Sequence, residues 1–372
     1  MAVIIVAVAI VTGFREEIKN KVVGFEADIR ITHLDNNQSS EPVPVAADAA
    51  MMERIRAVEG VRHIQAFANK AGIIRTDTEM EGIMVKGVGT DFDWGFFKKH
   101  LVRGDVFVVS DTGRTDLALI SQQTADRLGL DVGSRMEVYF LQKERQRARV
   151  FRVSGIYRTG LEEMDRLYIL ADMAHVQRLN DWDSTQVAGY EVFCTDFGDV
   201  VEQADAVDLM LPYDHFAETV RELQPQMFDW LDLQDVNVQV IIILMLLVAG
   251  FNMISALLIM IIERVNMIGL LKTMGMTNGA IRNIFLYQGI YLSAVGLFWG
   301  NVIGIGACLL QAHTGIITLP EESYYMSVVP INMNVLHLLL LNLGSLFISC
   351  LMLVGPSLMV ARISPLRAVR YS

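Results

Sequence analysis

The polar residues of this chain show no spacing that is typical of an active site. Glu162, Glu163 and Asp165 form an acidic cluster, and paired carboxylates can serve as a general acid and a general base. Adjacent acidic side chains on a loop are usually just hydrated, and nothing nearby in the sequence orients these three for proton transfer. The seven histidines show neither an H-E-x-x-H pattern nor a metal-ligand spacing with the three cysteines. We therefore expect a chain without a metal site that is not an enzyme.

Nucleotide and nucleic-acid binding are also disfavoured. The run Gly269–Thr273 has some of the residue types of a phosphate-binding loop but lacks its glycine frame. The net charge is -11, from 31 basic and 42 acidic residues, whereas binding to nucleic acid requires a basic face. We expect that this chain binds no cofactor and no nucleic acid.

The longer segment 263–276, which contains this run, indicates another kind of chemistry, that of an apolar helix face. Its large apolar residues recur at the i, i+3, i+4 and i+7 positions of a helix and are Met267, Leu270, Leu271 and Met274. Arg264 and Lys272 flank them. Such a helix can lie in the lipid interface, or it can insert its apolar ridge into a groove on a partner protein. Periodicity alone slightly favours the lipid interface.

Three charge-free stretches place this run between membrane spans. The chain is 52% hydrophobic and 20% charged, and a spanning helix needs about 20 mostly apolar residues. We predict spans at 238–262, 284–310 and 335–358. Glycine recurs at every fourth position of the second span, at Gly296, Gly300 and Gly304. This spacing predicts a close approach by another helix, although glycine is common in membrane helices generally.

The first residues are apolar as well. Met1–Phe14 carries no charge, but 14 residues of helix cover only about 21 Å, whereas the hydrocarbon core is about 30 Å thick. Neither a basic start nor a small-residue cleavage site of a signal peptide is evident. We expect a truncated first transmembrane helix here, which continues past the membrane.

The positions of Lys and Arg predict the orientation. They occur in the loop 263–282 and in the tail, for example Arg362 and Arg367, but not in the loop 311–334. Basic loops face the cytoplasm, so 311–334 and the long stretch 15–235 face the other side.

We predict the following organisation. Residues 1–24 form the first helix and a stalk, and residues 25–211 form an α+β extracytoplasmic core domain of mixed sheets. Residues 212–237 form a second stalk, which leads into the membrane. Residues 238–372 form a three-helix permease domain with a cytoplasmic helical segment at 263–283. The fold class is thus membrane α-helical, with four transmembrane helices. The α+β domain is inserted between the first and the second. Within it, Asp48 and Ser121 are predicted N-caps, with Gly60 and Gly129 as helix stops.

The cytoplasmic segment carries the most specific motif. E-R-x-x-x-I-G-L-L-K-T-M-G-M at 263–276, followed by I-R-x-I-F-L-Y-Q-G at 281–289, resembles the FtsX-like permease domain of ABC transporters. In that family this loop is the coupling helix that docks on a cytoplasmic ATPase. The resemblance assigns this contact to Glu263, Arg264, Met267, Ile268, Leu270, Leu271, Lys272, Met274 and Gly275.

The extracytoplasmic stretch is similar to the companion periplasmic core domain, through Leu119–Ser134 and Val153–Asp165. The second of these, V-S-G-I-[aromatic]-x-x-G-x-x-E-x-D, looks most like the permeases of the lipoprotein-releasing system. The tail at 363–368 also fits such permeases. By position in the family's domain, we expect contacts with a periplasmic lipoprotein carrier at Arg158, Gly160, Glu163 and Asp165.

The resemblance implies a multi-pass protein of the cell inner membrane with its large domain in the periplasm. It would couple ATP hydrolysis in a partner subunit to the release of lipoproteins towards the outer membrane. The implied partners are a cytoplasmic ABC ATPase dimer that binds ATP and Mg²⁺, a second copy or a paralogous permease, lipoprotein cargo, a lipoprotein carrier and membrane lipid. Methionine adapts its shape, so contacts with acyl chains are expected at Met245, Phe251, Met253 and Met260, which could equally be ordinary lipid-facing residues.

Other functions fit parts of the same pattern. A macrolide-exporter-type permease has a similar topology but usually carries a fused ATPase. A cell-division-type permease activates a cell-wall hydrolase and usually has a much smaller outside domain. A membrane-anchored receptor or scaffold would not need an ATPase at 263–276. The permeases of the family that this chain resembles also begin with a cytoplasmic helix and a full first span, which are not in this sequence.

Overall fold

The computed structural model divides the chain into two units. It describes residues 1–36, 42–46, 48–76, 79–110, 113–142, 145–320 and 324–358. The helical unit comprises Met1–Glu17, Asp229–Leu319 and the described part of Val328–Ser372, and the sheet unit comprises Ile18–Phe228 and Pro320–Ser327. The predicted motif at 363–368 lies outside the described residues.

The sheet unit is built on a ten-stranded mixed sheet and a two-stranded one. The strands are β1 (Ile29–His33), β2 (Val45–Ala46), β3 (Val61–Arg75), β4 (Met80–Val88), β5 (Leu101–Gly104), β6 (Leu117–Ser121), β7 (Arg135–Gln142), β8 (Arg145–Tyr157), β9 (Tyr168–Asp172), β10 (Gln186–Val187), β11 (Gly189–Cys194) and β12 (His215–Thr219). The large sheet has the order β12-β1-β11-β3-β4-β9-β6-β8-β5. β2 pairs with β10.

Six strands of the large sheet form a closed circuit. β7 pairs antiparallel with both β3 and β8, which joins the two ends of the run β3-β4-β9-β6-β8. The pairs β4–β9 and β6–β8 are parallel. Strands of the circuit contribute fully buried residues to the apolar core of the unit, among them Val85, Val138 and Phe140. At Gly72 on β3, a Cβ would lie 2.9 Å from both Val138 and Phe140, so a side chain larger than hydrogen would disturb this core.

Twelve helices accompany these strands among the described residues. They are α1 (Ala2–Glu26), α2 (Ala49–Arg56), α3 (Gly95–Lys99), α4 (Gln122–Leu128), α5 (Glu162–Leu167), α6 (Met173–Leu179), α7 (Val200–Asp208), α8 (Val220–Leu223), α9 (Pro225–Glu263), α10 (Val265–Thr273), α11 (Asn278–Thr314) and α12 (Val335–Ser357). Asp48 caps α2 by accepting from the N–H groups of Ala50 and Met51, and Ser121 caps α4. Both predicted N-caps are confirmed, and Gly129 ends α4 in the left-handed conformation.

The sheet continues beyond the predicted domain boundary at 211. β12 lies within 212–237, which was predicted as a stalk, and it pairs antiparallel with β1 over five residues. Its side chains are half-buried, except that of Thr219, which is buried, so it is a strand of the domain. Thr219 also forms a capping box with Glu222 at the start of α8.

Three described helices are long and apolar enough to cross a membrane, namely α9, α11 and α12. They contain the predicted spans 238–262 and 284–310, and α12 matches 335–358 to within one residue. α1 is continuous over 25 residues but is not among these candidates. Its second half carries Arg15, Glu16, Glu17, Lys19 and Lys21. The four-helix count therefore stays a prediction.

The predicted close approach is confirmed at Gly300 and Gly304 but not at Gly296, and the partner helix is α1. A Cβ at Gly300 would lie 2.7 Å from the Cβ of Met1, and one at Gly304 would lie 3.1 Å from the Cα of Ala2. α11 and α12 are further joined by reciprocal amide hydrogen bonds between Asn301 and Asn342, at 2.6 and 2.9 Å. Such pairs stabilise helix association in membranes, where apolar contacts alone provide little preference over lipid.

Candidate functional site

α10 is a short helix in the connection between the two long apolar helices α9 and α11. α9 ends at Glu263, Arg264 precedes α10, and the helix ends before Gly275, which has the left-handed φ of +90°. Thr277 then caps α11 through its hydroxyl, which accepts from the N–H of Ala280. The predicted segment 263–283 is therefore not one helix but α10, a turn, and the first residues of α11.

The predicted apolar face of α10 is divided between two environments. Ile268 is fully buried in a cluster with residues of three other helices, which are Leu257 and Ile261 of α9, Ile281 and Phe285 of α11, and Leu353 of α12. Met267 and Leu271 pack partly against the same cluster. Leu270 and Met274 point away from it, with 59% and 77% of their surface exposed. Only these two of the four periodic residues are thus available to a partner.

The exposed side of α10 is an apolar ridge with charged flanks. Leu270 and Met274 lie one turn apart, and the Thr273 hydroxyl donates to the carbonyl of Leu270 between them. Glu263 and Arg264 are exposed, and Lys272 is half-buried. A ridge of this kind fits the helix-in-groove mode of recognition, in which apolar side chains provide most of the binding energy.

The helical unit contains a cavity of about 500 Å³, open at the surface. Met245 and Met253 of α9 line it, together with Met1 and Ile4 of α1 and with residues of α11 and α12. Its walls are mostly apolar, with a few polar groups that are Asn252, Ser293, Ser345 and Ser349. The cavity therefore offers space of the right chemistry for hydrocarbon chains.

The four residues predicted to contact acyl chains do not share one site. Among the described residues, the cavity lining includes Met245 and Met253 but not Phe251 or Met260. Phe251 is 67% exposed on α9, and Met260 packs against the cluster around Ile268. The resemblance implies that the first span helps to line such a cavity, but nothing in Met1–Phe14 itself marks which face would be buried.

The predicted carrier-contact residues also divide into two groups. Arg158 and Glu163 are exposed, whereas Asp165 is 5% exposed. Its Oδ2 accepts from the N–H groups of Thr159 and Gly160 at 3.0 and 3.1 Å, and its Oδ1 accepts from the Thr159 hydroxyl at 2.6 Å. Asp165 therefore holds the Thr159 loop (residues 158–161), in which Gly160 has a φ of +82°. Burial raises the pKa of Asp165, and these hydrogen bonds oppose the shift.

A surface groove of about 500 Å³ runs beside this loop. Its lining combines polar residues of α4 with the loop and with the α11–α12 connection, and consists of Gln122, Gln123, Asp126, Arg158, Gly160, Glu162, Asp165 and Pro320. The residues of α4 and Pro320 were not predicted. The α4 residues could have been found, because they lie inside the stretch Leu119–Ser134 that resembles the periplasmic core domain.

Several histidines of the sheet unit have structural contacts. The ring of His175 is buried against Phe151, its Nε2 lies 3.0 Å from the carbonyl oxygen of Thr115, and burial lowers its pKa. His33 and His215 face each other across β1 and β12 beside Asp214. In the described ranges, no group of three or more histidine, cysteine or acidic residues could hold a metal ion.

Two family models match this chain. One is described as the MacB-like periplasmic core domain and matches residues 1–205. The other is described as the FtsX-like permease C-terminal domain and matches residues 239–365. The first covers more than half of the chain, and together the two models match all of it except residues 206–238 and 366–372.

Three curated relatives are similar over most of the chain. The lipoprotein-releasing system transmembrane protein LolC of Xylella fastidiosa (strain 9a5c) is 22% identical over 100% of this chain and 91% of its own length. LolC of Haemophilus influenzae is 24% identical over 75% of this chain and 68% of its own length. LolE of the same organism is 22% identical over 98% of this chain and 90% of its own length.

Proposed function

Because this chain belongs to the FtsX-like permeases with a MacB-like periplasmic core domain, which are permease components of ABC transporters, we propose that it couples ATP hydrolysis in a separate ATPase to the release of lipoproteins from the inner membrane. The observation that supports the coupling most directly is α10. Its ridge of Leu270 and Met274 is exposed, while Ile268 on the opposite side is fully buried. The lipoprotein cargo is supported by the names of the relatives.

The packing of α10 gives this coupling a physical route. Ile268 contacts a cluster to which α9, α11 and α12 all contribute, so a displacement of α10 has to move residues of three helices. Close-packed interiors transmit such displacements because they contain little free volume. The ATPase would bind ATP and Mg²⁺ and close on them. This chain would receive the motion at Leu270 and Met274.

The cavity in the helical unit is the proposed site for the acyl chains of the cargo. Each methylene group removed from the bilayer costs about 0.8 kcal/mol, so the extraction of several acyl chains needs an external source of energy. Met245 and Met253 suit a chain of variable shape because the methionine side chain is flexible and polarisable. Polar groups such as Asn252 and Ser345 line the same cavity and could bind the linkage between acyl chains and protein.

The sheet unit would lie in the periplasm and receive a lipoprotein carrier. Arg158 and Glu163 are exposed beside the groove and are the residues proposed to contact it. Asp165 would act only through the Thr159 loop, which it holds in place. A second permease, either a copy or a paralogue, would complete the transporter, as the separate names LolC and LolE of the relatives suggest.

The test is a purification of the full chain from its own cells in mild detergent, with mass spectrometry of the bound proteins. Three forms are compared: the unmodified chain, Leu270→Asp with Met274→Asp, and Leu270→Met with Met274→Leu as the matched control that keeps the ridge apolar. We expect an ATPase and triacylated lipoproteins with the first and third forms. The aspartate form should lose the ATPase but keep its fold, because both positions are exposed.

Each other result contradicts a specific part of the proposal. An ATPase together with a cell-wall hydrolase or an outer-membrane duct, and no lipoproteins, would overturn lipoprotein release and leave the family assignment. Retention of the ATPase by the aspartate form would overturn the role of the ridge. No ATPase with the unmodified chain would overturn the coupling itself.

A further inference from the structure

The sheet unit carries a cluster of four arginines, although the chain as a whole has a net charge of -11. Its members are Arg114, Arg147, Arg149 and Arg178. Burial lowers the pKa of Arg149, the charges of the other three arginines lower it further, and the charge of Asp116 opposes the shift. The four guanidinium groups therefore lie close enough to repel one another.

The strand β8 and the helix α6 bring three of these arginines together. Arg147 and Arg149 lie on the same face of β8 as Phe151, because side chains two residues apart point the same way along a strand. Phe151 is buried, and its ring contacts that of His175 on α6, with the ring centroids 5.0 Å apart. The two arginines continue this inner face towards the end of α6, where Arg147 donates from Nη1 to the carbonyl of Arg178 at 3.4 Å.

Buried hydrogen bonds hold Arg114 beside the same helix. The N–H of Thr115 donates to Oδ2 of Asp172 at 2.9 Å, and the Thr115 carbonyl oxygen lies 3.0 Å from Nε2 of His175. Asp172 and His175 are both buried. Oδ1 of Asp116 lies 3.1 Å from the same Nε2. The interior of the unit thus fixes the short segment that presents Arg114 at the surface.

A surface pocket of about 480 Å³ lies among these elements, and we call it the arginine pocket. Arg114 and Arg178 line it together with Asp116, Trp182 and Ser184. Trp182 is half-buried and packs against the core of the unit. The arginine pocket therefore combines two guanidinium groups and a hydroxyl with an aromatic wall.

The arginines have hydrogen-bond donors to spare. The side chain of Arg178 has no hydrogen bond or ion pair among the described residues. Nε of Arg114 lies 3.9 Å from Oδ1 of Asp116, which is beyond hydrogen-bond distance. Nη1 of Arg149 donates to a backbone carbonyl, and its Nε is buried without a described partner. Because a guanidinium group has five N–H donors, most of the donors of these three groups have no partner in the described part of the chain.

The charges and the arrangement of these groups select the ligand. Asp181 pairs with Arg147 at 3.1 Å, and Asp183 accepts hydrogen bonds within its own turn. Asp116 therefore faces three arginines, which leaves an excess of positive charge for an anion. A carboxylate offers two oxygens to such a site, whereas a phosphate group offers three or four. A phosphate group suits guanidinium forks that come from three separate segments of the chain.

We propose that the arginine pocket binds a phosphate group through Arg114 and Arg178, with Arg149 adding positive charge and Trp182 contacting the molecule that bears the phosphate. A phosphate ion is much smaller than the pocket, so there is room for such a molecule. A lipid headgroup and free phosphate share this chemistry. The site lies wholly within the sheet unit and goes beyond the proposed function, on which it does not depend.

The site is tested by titration calorimetry of inorganic phosphate into the full chain, at constant ionic strength in a non-ionic detergent free of phosphate. Arg178→Gln and Arg114→Gln should each raise the Kd at least about tenfold, because each removes charge-assisted hydrogen bonds. Both side chains are largely exposed, so the variants should fold. Arg178→Lys keeps the charge without the fork and should give a Kd between those of the unmodified chain and Arg178→Gln.

Arg103→Gln is the matched control. Arg103 is an exposed arginine of β5 that pairs with Asp131 at 3.1 Å, and β5 pairs with the opposite end of β8. This variant should bind phosphate as the unmodified chain does. Absence of binding at about 10 mM phosphate, or equally tight binding of acetate, would overturn the site. An unchanged Kd in both Arg178→Gln and Arg114→Gln would overturn it equally.

The source of the phosphate is tested with glycerol phosphate and with dihexanoyl phosphatidic acid, a short-chain lipid. Each affinity is expressed relative to that of Arg178→Gln, so that lipid bound elsewhere on the chain cancels. Tighter binding of the lipid than of glycerol phosphate, lost in Trp182→Leu, would support the site with a lipid headgroup as its ligand. Equal binding of both and of inorganic phosphate, unchanged in Trp182→Leu, would support free phosphate and overturn the role of Trp182. None of these results depends on whether the chain binds an ATPase or lipoproteins.

Discussion

A buried ion pair connects the end of α1 to the centre of the large sheet, and its removal should be strongly destabilising. Lys86 on β4 is 3% exposed, and its Nζ lies 2.6 Å from Oε1 of Glu191 on β11, which is fully buried. The same ammonium donates to the carbonyl of Phe25 at 2.8 Å, near the last residue of α1. Gln65 donates to the other oxygen of Glu191 at 2.9 Å. Oε1 of Glu191 thus has only the charge contact with Lys86, whereas its Oε2 accepts a hydrogen bond.

Lys86→Met keeps the volume of the side chain but removes the closest counter-charge of the Glu191 carboxylate, and Arg30 is left as a cation that interacts with it. Breaking a buried pair in this way costs about 3–5 kcal/mol, mostly because the remaining charge is uncompensated. The double change Lys86→Met with Glu191→Gln removes that charge and should recover at least about 2 kcal/mol of the loss. Because about 1.4 kcal/mol corresponds to a factor of ten, the single variant should speed exchange of the slowest amides at least a hundredfold.

The assay is amide hydrogen exchange of β4 and β11 in the full chain, because the slowest amides of a sheet report its opening free energy. Lys98→Met, on the exposed surface of α3, is the control and should leave these amides unchanged. If the single and double variants exchange at the same rate, Glu191 does not depend on Lys86 and the reasoning fails. A loss below about 1 kcal/mol in the single variant would refute it equally, since that is the size expected of an exposed pair.

Three further predictions concern stability in detergent, measured by thermal unfolding. Burial raises the pKa of Asp165 above 3.8 in the folded protein. The stabilisation that this shift provides is present below pH 3.8 and is lost as the pH rises through the raised pKa. Asp165→Asn should therefore flatten the dependence of the unfolding temperature on pH. Gly300→Ile should cost about 1–3 kcal/mol because its Cβ would lie 2.7 Å from that of Met1, whereas Gly296→Ile should cost little because no described atom lies within 4 Å. Asn342→Leu leaves Asn301 without its interhelical partner and should cost about 0.6–2 kcal/mol, less if Asn301→Leu is added.

Local sequence signals predicted the elements of this fold well. Asp48 and Ser121 were recognisable as N-caps because a short polar side chain before an apolar periodic run has few other structural roles. The long apolar helices followed from the absence of charge, since a charged side chain at the centre of a bilayer is costly. The close helix approach followed from Gly300 and Gly304, where no side chain separates the backbones.

Long-range arrangement was not predictable in the same way. The pairing of Ile73 on β3 with Tyr139 on β7 closes the strand circuit, and no local pattern in either strand specifies it. In α10 the periodicity grouped Leu270 and Met274 with two residues that pack inward, because apolar residues occur on all sides of this helix and the pattern cannot tell a buried face from an exposed one. The sequence places Asp165 among the carrier-contact residues because nothing in its own motif shows that Thr159 would bind it.

The closed circuit of strands also leaves few unpaired strand edges at which another copy of the protein could pair. Open strand edges are templates for aggregation, and the risk grows where many copies are confined to one membrane surface. Among the described strands of the large sheet, only β12 and β5 lie at its ends. β5 has four residues and ends at Gly104, whose φ of +76° turns the backbone away from extended geometry. A sheet unit built this way can stand at high density beside other copies with little edge for intermolecular strand exchange.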